Sequence, residues 1–150
     1  MSAEDLTARV ERLEAAEGVR DLLWRYASTL DRLPQIEELA DLFTSDAALL
    51  SADRHEGREA ILAYYDGVLS SLTSARHHIT TSTIAIEGPD RAHHRGYYLA
   101  LLQRDGATLL AYGDYDDVVV RGADGRWRFQ EKGNISRGAT TLDTAAESEA

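Results

Sequence analysis

Residues 76–135 read RHHITTSTIAIEGPDRAHHRGYYLALLQRDGATLLAYGDYDDVVVRGADGRWRFQEKGNI. Four β-like runs occupy this stretch: His77 to Ile86, Ala92 to Gln103, Thr108 to Val120 and Arg126 to Ile135. Turn formers separate them at Glu87-Gly88-Pro89-Asp90, Arg104-Asp105-Gly106 and Gly122-Ala123-Asp124-Gly125. Connections this short make consecutive strands antiparallel neighbours.

The preceding residues have helical spacing. Leu6, Val10 and Leu13 recur with a period near 3.6, as do Val19, Leu22, Leu23, Tyr26, Ala27 and Leu30. Gly18 separates the two sets, which predicts a kink there or an N-terminal helical arm over 1–18. Leu33-Pro34 closes the pattern, because proline disfavours helix in the residue before it. A second helix places Ile36, Leu39, Ala40 and Phe43 on one face, and Ala47 to Ala52 reads as a short strand. A third helix follows Gly57, over Arg58 to Leu69, packing through Ile61, Leu62, Tyr65 and Leu69. Helices first and a strand meander afterwards predict an α+β fold, with three helices on one face of a bent antiparallel sheet. Phe43, Ile61, Tyr65 and Trp24 are the expected helix–sheet core. The domain covers 19–137, and the polar acidic tail 138–150 is expected to be mobile.

Composition narrows the function. A chain of 150 residues, 43% hydrophobic and 28% charged, suits one soluble domain. It has no cysteine, which removes disulfides, thiolate metal sites and a cysteine nucleophile. A net charge of −10 with scattered arginines argues against nucleic acid. No apolar run reaches bilayer length, and the charged start Met1-Ser2-Ala3-Glu4-Asp5 does not read as a signal peptide. The expected compartment is the cytoplasm, with no membrane partner. Nucleophile-elbow, phosphate-loop and dinucleotide motifs are missing from the sequence.

Few residues remain that could do chemistry. Tyr26 falls mid-stripe on its helix and Asp31 on the flank, so each alone fits a core aromatic or a solvated helix-end carboxylate. His77 and His78 point to opposite faces of a strand and cannot chelate one metal together. His93-His94 has the same geometry at the start of the next strand, where a half-exposed position is expected, and His55 falls in a polar loop. No metal-binding spacing is present, so neither a metal nor another cofactor is expected. Tyr112, Asp114 and Asp116 share one face of the strand after Gly106, and Asp117 takes the other.

These segments resemble the SnoaL-like proteins of the nuclear-transport-factor-2-like superfamily. The resemblance is carried by Val19-Arg20-Asp21-Leu22-Leu23-Trp24-Arg25-Tyr26 with Leu30-Asp31-Arg32, and by Leu39-Ala40-Asp41-Leu42-Phe43-Thr44-Ser45-Asp46-Ala47. Gly57-Arg58-Glu59-Ala60-Ile61, Arg76-His77-His78-Ile79-Thr80 and Asp124-Gly125-Arg126-Trp127-Arg128-Phe129 continue it in order. It implies a cone-shaped sheet closed by helices, in a family of dehydratases, ketosteroid isomerase, polyketide cyclases and proteins that only bind. In its dehydratases an aspartate at the end of the first helix orients a histidine on the first long strand, positions held here by Asp31 and His77. Tyr26 matches a tyrosine of the bile-acid dehydratases. Asp114 and Asp116 fall near polar pocket residues of scytalone dehydratase. Its second pocket histidine is matched near Leu102 and its tyrosine beside the aspartate by Leu30, which argues against scytalone as substrate.

The expected activity is a cofactor-independent dehydratase or isomerase reaction on a small hydrophobic oxygenated substrate, polyketide- or steroid-like. His77 is the expected acid–base, Asp31 its partner and Tyr26 the donor to a developing enolate. His78, Tyr98, Tyr112, Asp114 and Asp116 are the expected substrate-binding walls. The alternatives are an aldol cyclase using Asp114 or Asp116 and a non-catalytic binding or assembly domain. The family motif selects His77, yet Ile84 and Ile86 alternate in phase with His78, so His77 can face inward only if the strand carries a bulge. A homodimer or homotrimer is expected through an outer sheet face bearing Tyr97, Leu99, Val118 and Val120.

Overall fold

The computed structural model describes residues 2–32 and 36–142. The elements in chain order are α1 (Ala3–Asp31), α2 (Ile36–Ala40), β1 (Phe43–Leu50), β2 (Arg54–Glu56), α3 (Arg58–Leu69), β3 (Ser74–Gly88), β4 (Arg91–Arg104), β5 (Ala107–Arg121) and β6 (Trp127–Leu142). One six-stranded sheet has the order β2-β1-β6-β5-β4-β3.

A capping box starts α1. Ser2 Oγ accepts from the Asp5 N–H, and the Asp5 carboxylate accepts from the Ser2 N–H. The helix then runs unbroken through Gly18, without the expected kink. A β-carbon built on Gly18 would lie 2.6 Å from Trp127 Cδ1 on β6, so this glycine serves close packing. Val19, Leu22, Tyr26 and Leu30 are buried against the sheet, whereas Leu6, Val10 and Leu13 of the first half are exposed. The core continues through Leu39, Phe43, Leu49, Ile61, Tyr65, Val119 and Phe129.

Several expectations are corrected. Trp24, placed in the core by the sequence reading, is 70% exposed, because it lies off the stripe that carries Val19, Leu22 and Tyr26. Phe43 opens β1 instead of extending α2, and His55 lies in β2, paired with Leu49, instead of in a loop. The sheet is mixed: β3 to β6 form the antiparallel meander, but β1 lies parallel to β6, with Phe43 opposite Phe129 and Leu49 opposite Lys132. A parallel pair requires a long crossover, which everything from β2 to β5 supplies. Residues 138–142 belong to β6, pairing as far as Leu142 with Thr108, since the long β5 needs a partner along its first residues. The remainder of the expected tail, and Leu33-Pro34, lie outside the described residues.

Candidate active site

The last residue of α1, Asp31, meets His77 on β3, 46 positions later. The His77 main-chain N–H donates to both carboxylate oxygens, at 3.0 and 3.2 Å. The ring adds a third contact, with Nδ1 2.8 Å from Oδ1. A carboxylate only accepts, so Nδ1 carries the proton and Nε2 keeps its lone pair. Both side chains are 12% exposed, sheltered yet open to the groove beside them.

His77 owes its orientation to a defect in β3. Thr80 pairs with Tyr97 and Thr83 with Arg95, so three steps on β3 span two on β4. The extra residue is accommodated beside Thr81, whose φ is +49°. Ala75, His77 and Ile79 face the helices before this bulge; Ser82, Ile84 and Ile86 take that face after it. A single bulge thus puts His77 and the two isoleucines on one side. His78 is exposed on the opposite side.

The groove between α1 and β3 has a volume of about 800 Å³. Leu23, Trp24, Ala27 and Ile79 give it apolar walls, while Arg20, Arg32 and Arg76 stand on its rim, Arg20 paired with Glu17 and Arg32 with Glu38. Arg76 Nη1 lies 4.0 Å from Asp31 Oδ2. His78 reaches only this rim.

The other expected site residues lie elsewhere. Tyr26 is buried in the core and its hydroxyl is 2.8 Å from that of Tyr65. It does not line the groove and so does not reach a substrate held there, contrary to the expected donor role; burial pushes its phenol well above the ordinary range. Tyr98 faces inward but is also buried, stacked on Tyr115 with centroids 4.7 Å apart. Tyr112, Asp114 and Asp116 lie on the outer face of the sheet, because register pairs the inward Tyr98, Gly96 and His94 with Gly113, Tyr115 and Asp117. Asp114 is paired with Arg137, and Asp116 with His93 and Arg95. They are not walls of the groove that holds His77.

Sequence reasoning missed an inner polar cluster. His94, Asp117 and Lys132 are fully buried. Asp117 Oδ2 accepts from His94 Nδ1 at 2.7 Å, and Oδ1 accepts from Lys132 Nζ at 2.9 Å and from the Gly133 N–H at 3.2 Å. Lys132 Nζ also sits 3.2 Å from the centroid of the Tyr115 ring. Burial lowers the Lys132 pKa to about 8, with Asp117 opposing the shift. His94 was expected half-exposed; its shared phase with Ala92, Tyr98 and Ala100 marks the inner face and was the available signal. Among the described residues no group of three or more His, Asp or Glu side chains could hold a metal ion, and no helix is long and apolar enough to cross a membrane.

The six-stranded curled sheet with its packed helices has the cone fold of nuclear-transport-factor-2-like proteins, and Asp31 and His77 meet where its first helix reaches the edge strand. The profile of the SnoaL-like domain matches residues 11–132, and the chain belongs to that family. A search of curated proteins by sequence returned no match. Among solved structures, a Novosphingobium aromaticivorans protein provisionally assigned as a scytalone dehydratase is similar at 23% identity and TM-score 0.82, covering 95% of this chain and 99% of that one. The hexachlorocyclohexane dehydrochlorinase LinA-type3 of Novosphingobium barchaimii is similar at 21% identity and TM-score 0.79, covering 91% and 96%. Rv3472 of Mycobacterium tuberculosis, a protein of unknown function, is similar at 24% identity and TM-score 0.75, covering 91% and 76%.

Proposed function

We propose that this protein is a cofactor-independent lyase or isomerase acting on a small hydrophobic oxygenated molecule, with His77 as its acid–base residue. The observation that carries the reading is the threefold attachment of His77 to Asp31 beside the groove. Asp31 fixes the tautomer and stabilises the imidazolium that forms when Nε2 takes a proton. The proton removed is one next to a carbonyl, and its electron pair moves into an enolate. Expulsion of a leaving group from the neighbouring carbon completes an elimination; return of the proton to another carbon completes an isomerisation. The dehydratase and dehydrochlorinase assigned to two of the similar folds both name eliminations, which supports the first outcome.

With Tyr26 in the core, the enolate oxygen falls to Arg76, the rim cation beside Asp31, since Arg20 and Arg32 are paired with Glu17 and Glu38. The apolar wall of Leu23, Trp24, Ala27 and Ile79 suits a ring or short aliphatic body. The aldol-cyclase alternative finds no support, since Asp114 and Asp116 are engaged in ion pairs on the outer face.

The test reads proton abstraction directly. Incubation with 1-tetralone in D₂O, followed by NMR, should show deuterium entering the position next to the carbonyl faster than in buffer. His77→Ala should return the rate to that of buffer. Equal exchange by wild type and His77→Ala would refute the assignment.

A further inference from the structure

The hydroxyl of Ser82 continues the buried cluster into the groove. Ser82 Oγ lies 3.0 Å from His94 Nε2, and His94 Nδ1 lies 2.7 Å from Asp117 Oδ2. Asp117 accepts at both oxygens, with Lys132 Nζ and the Gly133 N–H donating to Oδ1. His94 Nδ1 therefore carries the proton, Nε2 is an acceptor, and the Ser82 hydroxyl donates to it. These are the hydrogen-bond directions that activate a serine, and such a triad is recognised by geometry and not by position in the chain.

Access and local backbone fit the same role. His94 and Asp117 are fully buried, while Ser82 is exposed and lines the groove that holds His77. It follows Thr81 in the bulge, the left-handed residue that turns Ser82 toward His94. Gly96 leaves the space for this contact: a β-carbon there would lie 2.9 Å from both Ser82 Oγ and His94 Nε2. Because β3 is the edge strand among the described residues, its outer row of main-chain N–H groups faces no strand partner there; His77 uses one such group on Asp31. Donors of that kind are what a developing oxyanion needs.

We propose that Ser82, His94 and Asp117 form a second catalytic site, in which Ser82 is the nucleophile of acyl transfer from small apolar esters. Ser82 Oγ bonds to the ester carbonyl carbon as its proton passes to His94 Nε2. The bond from that carbon to the alcohol oxygen breaks, and the alcohol leaves with the proton. Water then repeats the sequence, releasing the carboxylic acid and restoring Ser82. Asp117 is a positioning residue for His94, and Lys132 positions Asp117.

A fluorophosphonate probe tests this site separately from the His77 reading, since Oγ displaces fluoride without any enolate. Wild-type protein should gain one phosphonyl group, mapped by mass spectrometry to the Ser82 peptide, and should hydrolyse p-nitrophenyl butyrate. Ser82→Ala should lose both properties, while Thr83→Ala, the neighbouring hydroxyl, keeps both. His94→Gln, confirmed folded by circular dichroism, should be labelled about 10²-fold more slowly or worse. No adduct on wild type, an equal adduct on Ser82→Ala, or an unchanged rate in folded His94→Gln would each overturn the triad. Should His94→Gln fail to fold, the Ser82→Ala comparison decides.

Discussion

Gly18 of α1 and Trp127 of β6 approach so closely that a β-carbon on the glycine would lie 2.6 Å from Cδ1 and 2.8 Å from Nε1 of the indole. Two effects compete in Gly18→Ala. Helix propensity favours alanine by about 1 kcal/mol, while overpacking a fixed aromatic costs about 1–3 kcal/mol. Trp127 is 5% exposed and has little room to yield, so the substitution should lower stability in urea titration. A gain in stability would mean that α1 shifts freely on the sheet.

The dyad makes an ordered prediction for three substitutions. His77→Ala should reduce ketone exchange by about 10²–10⁴, the usual contribution of a positioned acid–base group. Asp31→Asn should reduce it by a smaller factor, because the base survives with a poorer partner. His78→Ala should retain most of the rate, since that side chain is on the exposed face. An effect at His78 larger than at His77 would reverse the roles.

Thr81 adopts φ +49°, a conformation that disfavours a β-branched residue by about 1–2 kcal/mol. Thr81→Gly removes this strain, whereas Thr83→Gly, in the same strand without it, only adds chain entropy. Thr81→Gly should therefore be more stable than Thr83→Gly by about 1–2 kcal/mol, measured by denaturant midpoint. Equal stabilities would show that the bulge is unstrained.

The outer face of the sheet exposes the large apolar side chains of Tyr97, Leu99, Leu101, Tyr112 and Ile135, the kind of patch that marks an interaction surface. We propose that this face joins two or three copies of the chain. Light scattering at micromolar concentration should give a dimer or trimer, and Leu99→Glu should yield the monomer. A wild-type monomer would remove the proposal.

Alkaline pH should destabilise the fold through four phenols. Burial raises the pKa of Tyr26, Tyr65, Tyr98 and Tyr115 above the ordinary value near 10. A folded pKa above the unfolded one gives stability that is complete below pH 10 and is lost as pH rises beyond it. The loss is about 1.4 kcal/mol per pH unit for each phenol that folding keeps protonated. Lys132 acts in the opposite sense between about 8 and 10.5, where the unfolded chain binds more protons, so the decline is best read above pH 10.5. Tyr65→Phe should make it shallower in urea titrations, and an unchanged slope would count against buried phenols as its source.

The meander was legible because Gly88-Pro89, Asp105-Gly106 and Asp124-Gly125 punctuate strands of plain β character. Partners distant in sequence were not. Nothing near Phe43 announces Phe129 as its parallel neighbour, and its spacing from Leu39 and Ala40 imitated a helix. Gly18 has the mark of a helix breaker because the sequence does not show Trp127 lying across it. The site divides the same way. Asp31 and His77 came from the family pattern, and the phase conflict of His77 with Ile84 and Ile86 required a bulge without locating it. On β5 Asp114 and Asp116 share a face with Tyr112 and imitate pocket residues, whereas Tyr115 and Val119 share their phase with Asp117, which is the buried acid.

The position of β6 between β1 and β5 has a consequence for how the chain is made. Ribosomes deliver β1 and α3 early, yet the strand that anchors β1 in the sheet is the last of the described strands to be synthesised. Until it emerges, the apolar side of β1 at Phe43, Ala47 and Leu49 has no sheet to enter. The fold is thus completed only after β6 is delivered, and nascent chains stalled before Trp127 should be far more open to proteolysis than the finished protein.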